Sequence, residues 1–212
     1  MLHIETVDAS TLVLIKRLLS LPILNNFSLV GGTALALHYG HRTSIDIDLF
    51  QPGEHFESQM IYQTLQENFP KIKLGNLYPF GVFLEIQQVK TDLIKHPFPL
   101  LKNPEEIDGI RMFSLEDLGA MKIAAIAQRG EKKDFVDLYY LCKKFKPLSA
   151  IFQDFMKKYA LIEAYHIIRS LQYFEEAEIS QMPHVLDKSL RWPAIKTFFT
   201  KEVNALAHSD RF

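Results

Sequence analysis

The segment that most constrains the fold runs from Ser44 to Leu49, where polar and apolar side chains alternate strictly. Side chains two apart in a strand share a face, so this alternation predicts a strand with one buried face. Asp46 and Asp48 are placed together on the open face, with their Cα atoms roughly 7 Å apart. The apolar residues are placed on the opposite face, in the core: Ile45, Ile47 and Leu49.

The two carboxylates suggest a metal site. Like charges side by side on a strand are unfavourable unless a cation lies between them. Ligand sets made only of oxygen favour Mg²⁺ or Mn²⁺ over zinc. Asp46 and Asp48 are therefore candidate metal ligands. A plainer interpretation stays open, in which both side chains line the solvated side of an edge strand.

The residues before this strand predict an anion-binding turn. A short apolar run that ends at Val30 predicts a strand, and Gly31-Gly32 separates it from a predicted helix, Thr33 to His38. Glycines let backbone N–H groups approach an anion, and a helix N-terminus favours negative charge. Thr33 either caps this helix or places its hydroxyl on a phosphate.

Two more residues complete this first motif. Gly40 is placed to end the helix, because glycine adopts the left-handed conformation of a helix C-terminus without strain. Arg42 precedes the alternating strand, and its permanent charge suits contact with phosphate. One short stretch therefore offers a phosphate-binding turn, a cation and a metal-binding pair.

Charged residues recur in two later predicted helices. Lys122 is the lone cation in an apolar stretch, Leu118 to Ala127, and either extends to the surface along its aliphatic stem or reaches triphosphate oxygens. Asp134 and Asp137 are three apart and share a helical face. Near a helix N-terminus the macrodipole favours such acids without any ligand.

These segments resemble the motifs of the AbiEii/AbiGii toxin family, nucleotidyltransferase-like proteins of the DNA polymerase β superfamily. The residues that carry the resemblance are Gly31-Gly32-Thr33, Gly40-His41-Arg42, Ser44, Asp46 to Phe50, Met121-Lys122, Ala125, Arg129-Gly130, Lys133-Asp134 and Asp137-Leu138. The resemblance implies a minimal nucleotidyltransferase fold of the α/β (α+β) class and a site for a divalent metal and a nucleoside triphosphate. It also implies a toxin role in bacterial toxin–antitoxin or phage-defence systems. The superfamily more usually opens with Gly-Ser, whereas Thr33 follows two glycines here.

The resemblance further implies roles for single residues. Polymerase-β-type chemistry needs a third carboxylate from a neighbouring strand, to hold a metal or accept the proton of the attacking hydroxyl. Asp92, in the predicted strand Val89 to Ile94, is preferred to Glu85 on the preceding strand, and an exposed strand-end acid is the alternative for either. The implied catalytic residues are Asp46, Asp48, Asp92 and Lys122, and the three aspartates are the implied metal ligands. The implied nucleotide-binding residues are Gly31, Gly32, Thr33, Arg42, Ser44, Lys122, Asp134 and Asp137. Asp134 could instead orient Arg129 or Lys133.

Composition limits the class of protein. Of 212 residues, 48% are hydrophobic, which supports a real core and argues against disorder. A formal net charge of −1 gives no general attraction to nucleic acid or membrane, so an RNA substrate needs a local basic patch. The single Cys142 rules out an intramolecular disulfide and suits a reducing compartment. The acidic start, Met1 to Asp8, is unlike a signal peptide, and no apolar run approaches the roughly 20 residues of a membrane span. We therefore expect a soluble, cytoplasmic protein.

Together these observations predict a two-part enzyme. Residues 1–113 are expected to form the nucleotidyltransferase-like α/β domain, a mixed sheet flanked by helices. Residues 114–212 are expected to form a helical part that closes the active-site cleft. The predicted reaction is the Mg²⁺- or Mn²⁺-dependent transfer of a nucleoside monophosphate from a nucleoside triphosphate to an acceptor hydroxyl. By resemblance, the acceptor is tRNA and the protein partner is a cognate antitoxin.

The acceptor and the turnover itself stay open. A protein that binds nucleoside triphosphate without turnover, and acts by holding a partner such as an antitoxin, fits the same residues. So does nucleotidylation of a small molecule or a protein. Several lysines of the helical part either form a patch for RNA phosphates or are solvated helix faces: Lys143, Lys144, Lys146, Lys157 and Lys158.

Overall fold

The second half of the alternating segment, from Ile47 onward, forms a strand in the middle of a mixed sheet. The computed structural model describes residues 1–53, 55–161 and 165–207, and in this part of the chain the sheet has seven strands. These are β1 (Ser28–Leu29), β2 (Ile47–Pro52), β3 (Ile72–Tyr78), β4 (Gly81–Ile86), β5 (Val89–His96), β6 (Glu105–Ile107) and β7 (Ile110–Met112). Their spatial order is β3-β4-β5-β2-β1-β7-β6. β2 pairs in parallel with β5 and antiparallel with β1, which confirms the predicted mixed sheet.

The helices are distributed between two units of the chain. The first unit comprises Met1–Gly40 and Ser44–Phe113, and contains the sheet with α1 (Ala9–Leu19), α2 (Gly31–Tyr39) and α3 (Ser58–Asn68). The second unit comprises His41–Thr43 and Ser114–Phe212. Its helices are α4 (Leu115–Arg129), α5 (Lys132–Lys144), α6 (Leu148–Tyr159), α7 (Tyr165–Ser170), α8 (Glu175–Ile179) and α9 (Trp192–Ala207). Residues 208–212, at the end of the predicted helical part, lie outside the described residues, and closure of a cleft by that part stays a prediction.

The prediction for the alternating strand is right for two apolar residues and wrong for the third. Ile47 and Leu49 are fully buried, whereas Ile45 is 71% exposed. The strand begins only at Ile47, where pairing with β5 starts, and the backbone N–H of Ser44 instead donates to the carbonyl of Thr6. Side-chain alternation persists only where neighbouring strands hold the backbone extended, so Ile45 points into solvent.

Helix α2 follows β1 directly. It ends at Gly40, whose φ of 64° is left-handed, as predicted. It begins at Gly31 and its N-cap is Val30, without a side-chain hydrogen bond. Thr33 therefore lies inside the first turn, and the prediction that it caps the helix is wrong.

In the second unit, α4 begins at a side-chain cap and packs closely on α6. The hydroxyl of Ser114 accepts a hydrogen bond from the backbone N–H of Asp117 at 3.1 Å, and Gly130 ends the helix with a φ of 54°. A Cβ on Gly119 would lie 2.9 Å from Cγ2 of Ile151 on α6, so the two helix backbones approach closely at this glycine. Among the described helices, none is both long enough and apolar enough to cross a membrane.

Candidate active site

Two of the predicted carboxylates are direct neighbours across the sheet. Asp48 on β2 is in register with Asp92 on β5, so the two side chains share a face on strands about 4.8 Å apart. Asp92 is only 7% exposed and Asp48 is half-buried. Asp46, also half-buried, comes two residues before Asp48, immediately ahead of β2. The structure therefore brings Asp46, Asp48 and Asp92 to one region of the first unit.

A lysine that the sequence analysis did not single out lies among these carboxylates. Nζ of Lys90 is 3.1 Å from Oδ2 of Asp92. Burial by itself would lower the pKa of Lys90, but the hydrogen bond to Asp92 and the negative charges of Asp92, Asp48 and Asp46 raise it. The positive charge of Lys90 is therefore stabilised by the negative charges of all three carboxylates. The available signal was its position two residues before Asp92, which places both side chains on one face of β5.

Asp92 has an oxygen that suits a bound cation. Its Oδ1 is buried and has no hydrogen-bond partner in the described structure. A buried, unsatisfied oxygen of this kind costs about 1–3 kcal/mol, and more when charged. Within the described ranges, no three His, Cys, Asp or Glu side chains form a complete metal-binding group. Mg²⁺, however, is usually held by one or two carboxylates together with waters and substrate phosphates. Asp48 and Asp92, the two side chains in register, fit such a partial site, and a metal-binding role of Asp46 stays a prediction.

The N-terminus of α2 lies against Asp48. Gly31 has a φ of 71°, and a Cβ at this position would lie 2.6 Å from Oδ2 of Asp48. The backbone N–H of Val30 donates to the carbonyl of Asp48 at 2.9 Å. Only glycine satisfies both the left-handed conformation and the close approach. The first N–H groups of a helix have no partner within it, so a helix end that could accept an anion lies next to the carboxylate of Asp48.

The hydroxyl groups of the first motif contact the protein itself. Thr33 is 1% exposed, and its hydroxyl donates to the carbonyl of Asp46 and lies 2.8 Å from Oγ of Ser44. These contacts fix the segment that leads into β2. Binding of nucleotide by Gly31, Gly32, Thr33 and Ser44 stays a prediction, and for Thr33 the structure shows a positioning contact.

Glu85, the competing third carboxylate, lies elsewhere on the sheet. It is in register with Lys90 rather than with Asp92, and its Oε1 is 2.6 Å from Nζ of Lys73. Its side chain is 43% exposed. The carboxylate adjacent to Asp48 is therefore that of Asp92.

The remaining predicted residues form a buried ion cluster within the second unit. Arg42 contacts both oxygens of Asp137, with Nε at 2.6 Å from Oδ1 and Nη2 at 2.9 Å from Oδ2. Nζ of Lys122 is 2.8 Å from Asp137 and 3.0 Å from Asp134. Asp134 also accepts two hydrogen bonds from Arg129, at 2.9 and 3.1 Å. The alternative in which Asp134 orients Arg129 is thus seen directly.

Opposite charges set the ionisation of this cluster. Burial by itself would raise the pKa of Asp137, but Arg42, Lys122 and a hydrogen bond from His41 hold it well below the ordinary value. Burial likewise opposes the charge of Lys122, and Asp137 and Asp134 nevertheless raise its pKa. Asp137 and Lys122 stay ionised although both side chains are buried. Nucleotide binding by Arg42, Lys122, Asp134 and Asp137 stays a prediction.

The candidate RNA-binding patch needs a correction. Lys158 is 1% exposed, and its Nζ is 2.6 Å from Oδ1 of the fully buried Asp117. A lysine held in this way is not available to RNA phosphates. Lys146 is paired with both Glu116 and Asp154, at 3.1 and 3.0 Å.

Comparison with known proteins identifies the family. The family described as nucleotidyl transferase AbiEii toxin, type IV toxin–antitoxin system, matches residues 14–208. The chain belongs to this family. An uncharacterized protein of Aquifex aeolicus (strain VF5) is 35% identical to this AbiEii family member over 193 residues, covering 89% of this chain and 92% of the relative.

Solved structures support the same fold. A putative nucleotidyltransferase from H. pylori matches with a TM-score of 0.56 at 16% identity, over 94% of this chain and 95% of the other. MenT4, a nucleotidyltransferase toxin from Mycobacterium tuberculosis H37Rv, matches with a TM-score of 0.59 at 12% identity, over 94% and 83%. The predicted family and the predicted α/β nucleotidyltransferase fold are therefore confirmed. Membership of the AbiEii family supports nucleotidyl transfer as the reaction class, a nucleoside triphosphate as substrate and an antitoxin as partner.

Proposed function

We propose that this AbiEii family member transfers a nucleoside monophosphate from a nucleoside triphosphate to a hydroxyl of an RNA, with tRNA as the acceptor implied by the family. The observation that carries this proposal is the pairing of Asp48 with Asp92 beside the N-terminus of α2. It combines a place for a cation, where Oδ1 of Asp92 has no hydrogen-bond partner among the described residues, with a place for an anion. These are the two requirements of a metal–triphosphate complex.

In this proposal, different residues of the first unit bind the triphosphate and the metal ion. The backbone N–H groups of Gly31, Gly32 and Thr33 bind the triphosphate. Asp46, Asp48 and Asp92 would hold Mg²⁺ or Mn²⁺, which supplies charge stabilisation at the phosphoryl oxygens when bound. Arg42, Ser44, Lys122, Asp134 and Asp137 are included as nucleotide-binding residues on family membership alone.

The bonds that change are those of an in-line displacement. The oxygen of the acceptor hydroxyl forms a bond to the α-phosphorus while the bond from that phosphorus to the pyrophosphate oxygen breaks. The proton of the hydroxyl passes to the carboxylate of Asp92, and pyrophosphate leaves. Positioning and electrostatics supply most of the acceleration in such reactions.

The biological setting belongs to the same proposal. The protein acts in the cytoplasm as the toxin of a toxin–antitoxin pair, restrained by its cognate antitoxin, and takes part in defence against phage. Membership of a family of type IV toxins supports the toxin–antitoxin part of this setting.

A transfer assay tests the reaction. The full chain is incubated with each labelled nucleoside triphosphate and total cellular RNA, and the label is then located. We expect label in RNA with the wild type and none with the double variant Asp46→Asn, Asp48→Asn. Asp92→Asn is expected to lower kcat by about 10²- to 10⁴-fold, the usual contribution of a general base.

Glu85→Gln is the matched control, because it removes a carboxylate from the neighbouring strand without touching Asp48. It is expected to keep wild-type transfer. Full activity of the double aspartate variant, with its circular dichroism unchanged, would show that the carboxylates are not the catalytic centre.

A second candidate function is favoured by the position of Lys90. Its ammonium pairs with Asp92, the proposed proton acceptor, and so competes with the cation that turnover needs. We propose as the alternative that the protein binds nucleoside triphosphate without turnover and acts through a partner protein. Calorimetric binding of nucleoside triphosphate, without pyrophosphate release on any RNA, would favour this module over the enzyme.

A further inference from the structure

Three aromatic side chains form an exposed cluster where β3 turns into β4. The rings of Tyr78 and Phe80 stack with a centroid distance of 5.3 Å and an interplanar angle of 3°. Tyr78 also meets Phe83 edge-on at 5.9 Å. Tyr78 and Phe80 nevertheless remain 44% and 53% exposed. This aromatic cluster of Tyr78, Phe80 and Phe83 thus keeps open ring surface that the fold itself does not cover.

The aromatic cluster lies on the same sheet face as the carboxylates. Phe83 on β4 is in register with Asp92 on β5, and Asp92 is in register with Asp48 on β2. The three side chains therefore form one row across adjacent strands. The opposite face of β4 is the core side, where Val82 and Leu84 are buried.

Gly81 lets this arrangement form. A Cβ at this position would lie 2.8 Å from Cε2 and 3.2 Å from Cζ of Phe83, so the ring of Phe83 lies over the glycine. The carbonyl of Phe80 accepts a hydrogen bond from the backbone N–H of Lys95 on β5 at 2.9 Å, which anchors the turn to the sheet. The rings are thereby held in place beside the carboxylate row.

The order of the strands indicates which reactant meets the aromatic cluster. Gly31 and the N-terminus of α2, the proposed triphosphate-binding turn, approach Asp48 from the β1 side of the sheet. Phe83 flanks Asp92 from the β4 side. In an in-line displacement the attacking and leaving oxygens lie on opposite sides of the phosphorus. If the leaving pyrophosphate faces α2, the acceptor faces the β4 side, where the aromatic cluster lies.

Two lysines lie close to the aromatic cluster. Lys73 and Lys90 lie on the same face in the adjacent row with side chains that are 75% and 63% exposed, and they pair with the carboxylates of Glu85 and Asp92. Proteins that bind single-stranded RNA combine such cations, which contact phosphates, with aromatic rings on which bases stack. From this geometry we infer that Tyr78, Phe80 and Phe83 stack unpaired bases of the acceptor RNA next to its reacting hydroxyl. This inference rests on the proposed function, because it assigns the acceptor to that same site.

A binding assay that needs no turnover tests the inference. The full chain is titrated with a fluorescent single-stranded RNA and with the same RNA carrying abasic nucleotides at its 3′ end. For the wild type we expect the abasic RNA to bind about 5- to 150-fold more weakly, as for the loss of one stacked base. The double variant Tyr78→Ala, Phe80→Ala should lose similar affinity for normal RNA and no longer distinguish it from abasic RNA. Its affinity for nucleoside triphosphate should be unchanged.

Controls make the result specific. Tyr165→Ala removes an aromatic side chain of the second unit that is 73% exposed, and should leave RNA binding unchanged. Thermal unfolding shows whether the double variant folds, and Phe80→Leu, which keeps an apolar side chain but not the ring, replaces it if it does not.

Several outcomes would overturn the inference. One is that the wild type and the double variant prefer normal RNA to abasic RNA by the same factor. Another is that the double variant loses affinity for nucleoside triphosphate and keeps its affinity for RNA. Copurification of a protein with the wild type but not the variant, with RNA affinity unchanged, would also overturn it and assign the surface to a protein. Base-dependent RNA binding without any transfer would instead contradict the proposed function alone.

Discussion

At the scale of single residues, Lys90 is the side chain whose removal best reports on cation binding. Its ammonium pairs with Asp92 beside Asp48, so a metal ion has to compete with it. We expect Lys90→Gln to tighten Mn²⁺ binding by about 1.5- to 5-fold, the equivalent of a largely exposed ion pair of 0.2–1 kcal/mol. Electron paramagnetic resonance of free Mn²⁺ measures this without any turnover.

Lys73→Gln is the matched control for Lys90. It removes a lysine of the same face that pairs with Glu85 instead of Asp92, and should leave Mn²⁺ affinity as it is. Weaker Mn²⁺ binding by Lys90→Gln would mean that the lysine supports the carboxylates rather than competing for them.

The same residues show how far sequence reasoning reaches. Alternation alone singled out Asp46 and Asp48, because a period of two is a local property of a strand, but only Asp48 lies within β2. It misplaced Ile45, because the start of a strand depends on where its neighbour begins to pair. Asp92 was proposed from the family resemblance. Its register with Asp48, and hence the place of Lys90, depends on pairing between distant strands that local patterns do not encode.

At the scale of elements, the junction of β1 and α2 needs a glycine both for its left-handed backbone and for its contact with Asp48. Gly31→Ala would force a side chain into a left-handed conformation, costing roughly 1–2 kcal/mol of unfolding free energy. It would also place Cβ 2.6 Å from the carboxylate of Asp48. We expect the variant to lose both this stability and most of its affinity for nucleoside triphosphate and Mn²⁺, as measured by urea unfolding and calorimetry.

Gly109→Ala separates the two effects. Gly109 has a φ of 77°, close to that of Gly31, but a Cβ there would meet nothing within 4 Å. It should cost similar stability and leave ligand affinity unchanged. Equal ligand affinity in both variants would argue against an anion site at the start of α2.

The helix ends were the most predictable elements. Gly40 ends α2 in the left-handed conformation as predicted, and Ser114 and Gly130 bound α4 by the same local rules, because capping depends on residues adjacent in sequence. The role of Thr33 was less accessible. Its hydroxyl faces the carbonyl of Asp46, a contact that exists only once α2 and the segment before β2 have folded together.

At the scale of the whole molecule, the motif residues of the family lie in both units. Asp46 and Asp48 belong to the first unit, whereas Arg42 is grouped with Lys122 and Asp137 in the second. Arg42 is only four residues from Asp46 in sequence, so no local pattern assigns them to different units. Arg42 is instead placed in the second unit by its β-bridge to Val185, a residue far along the chain.

The buried ion cluster should make the stability of the protein depend on acid. The pKa values of Asp134 and Asp137 are lowered in the folded chain, so the unfolded chain takes up their protons first as the pH falls. Their contribution is therefore complete above pH 3.8, the ordinary pKa, and is lost as the pH falls from there towards the folded values. Each group adds up to about 1.4 kcal/mol per pH unit to the slope in that window.

Urea unfolding at pH 6, 5, 4 and 3 measures this dependence. Asp134→Asn should lower the unfolding free energy at pH 6, by up to about 3–5 kcal/mol for a broken buried pair, because the positive charges of Lys122 and Arg129 lose one carboxylate. Below pH 4 the difference from the wild type should shrink, because the unfolded wild-type chain then binds a proton at Asp134 that the folded chain still excludes, and the wild type loses this stabilisation. Glu85→Gln, which removes an exposed carboxylate, serves as the control and should stay parallel to the wild type. A gap between Asp134→Asn and the wild type that is the same at pH 6 and pH 3 would mean that packing around Asp134, and not its charge, stabilises the cluster.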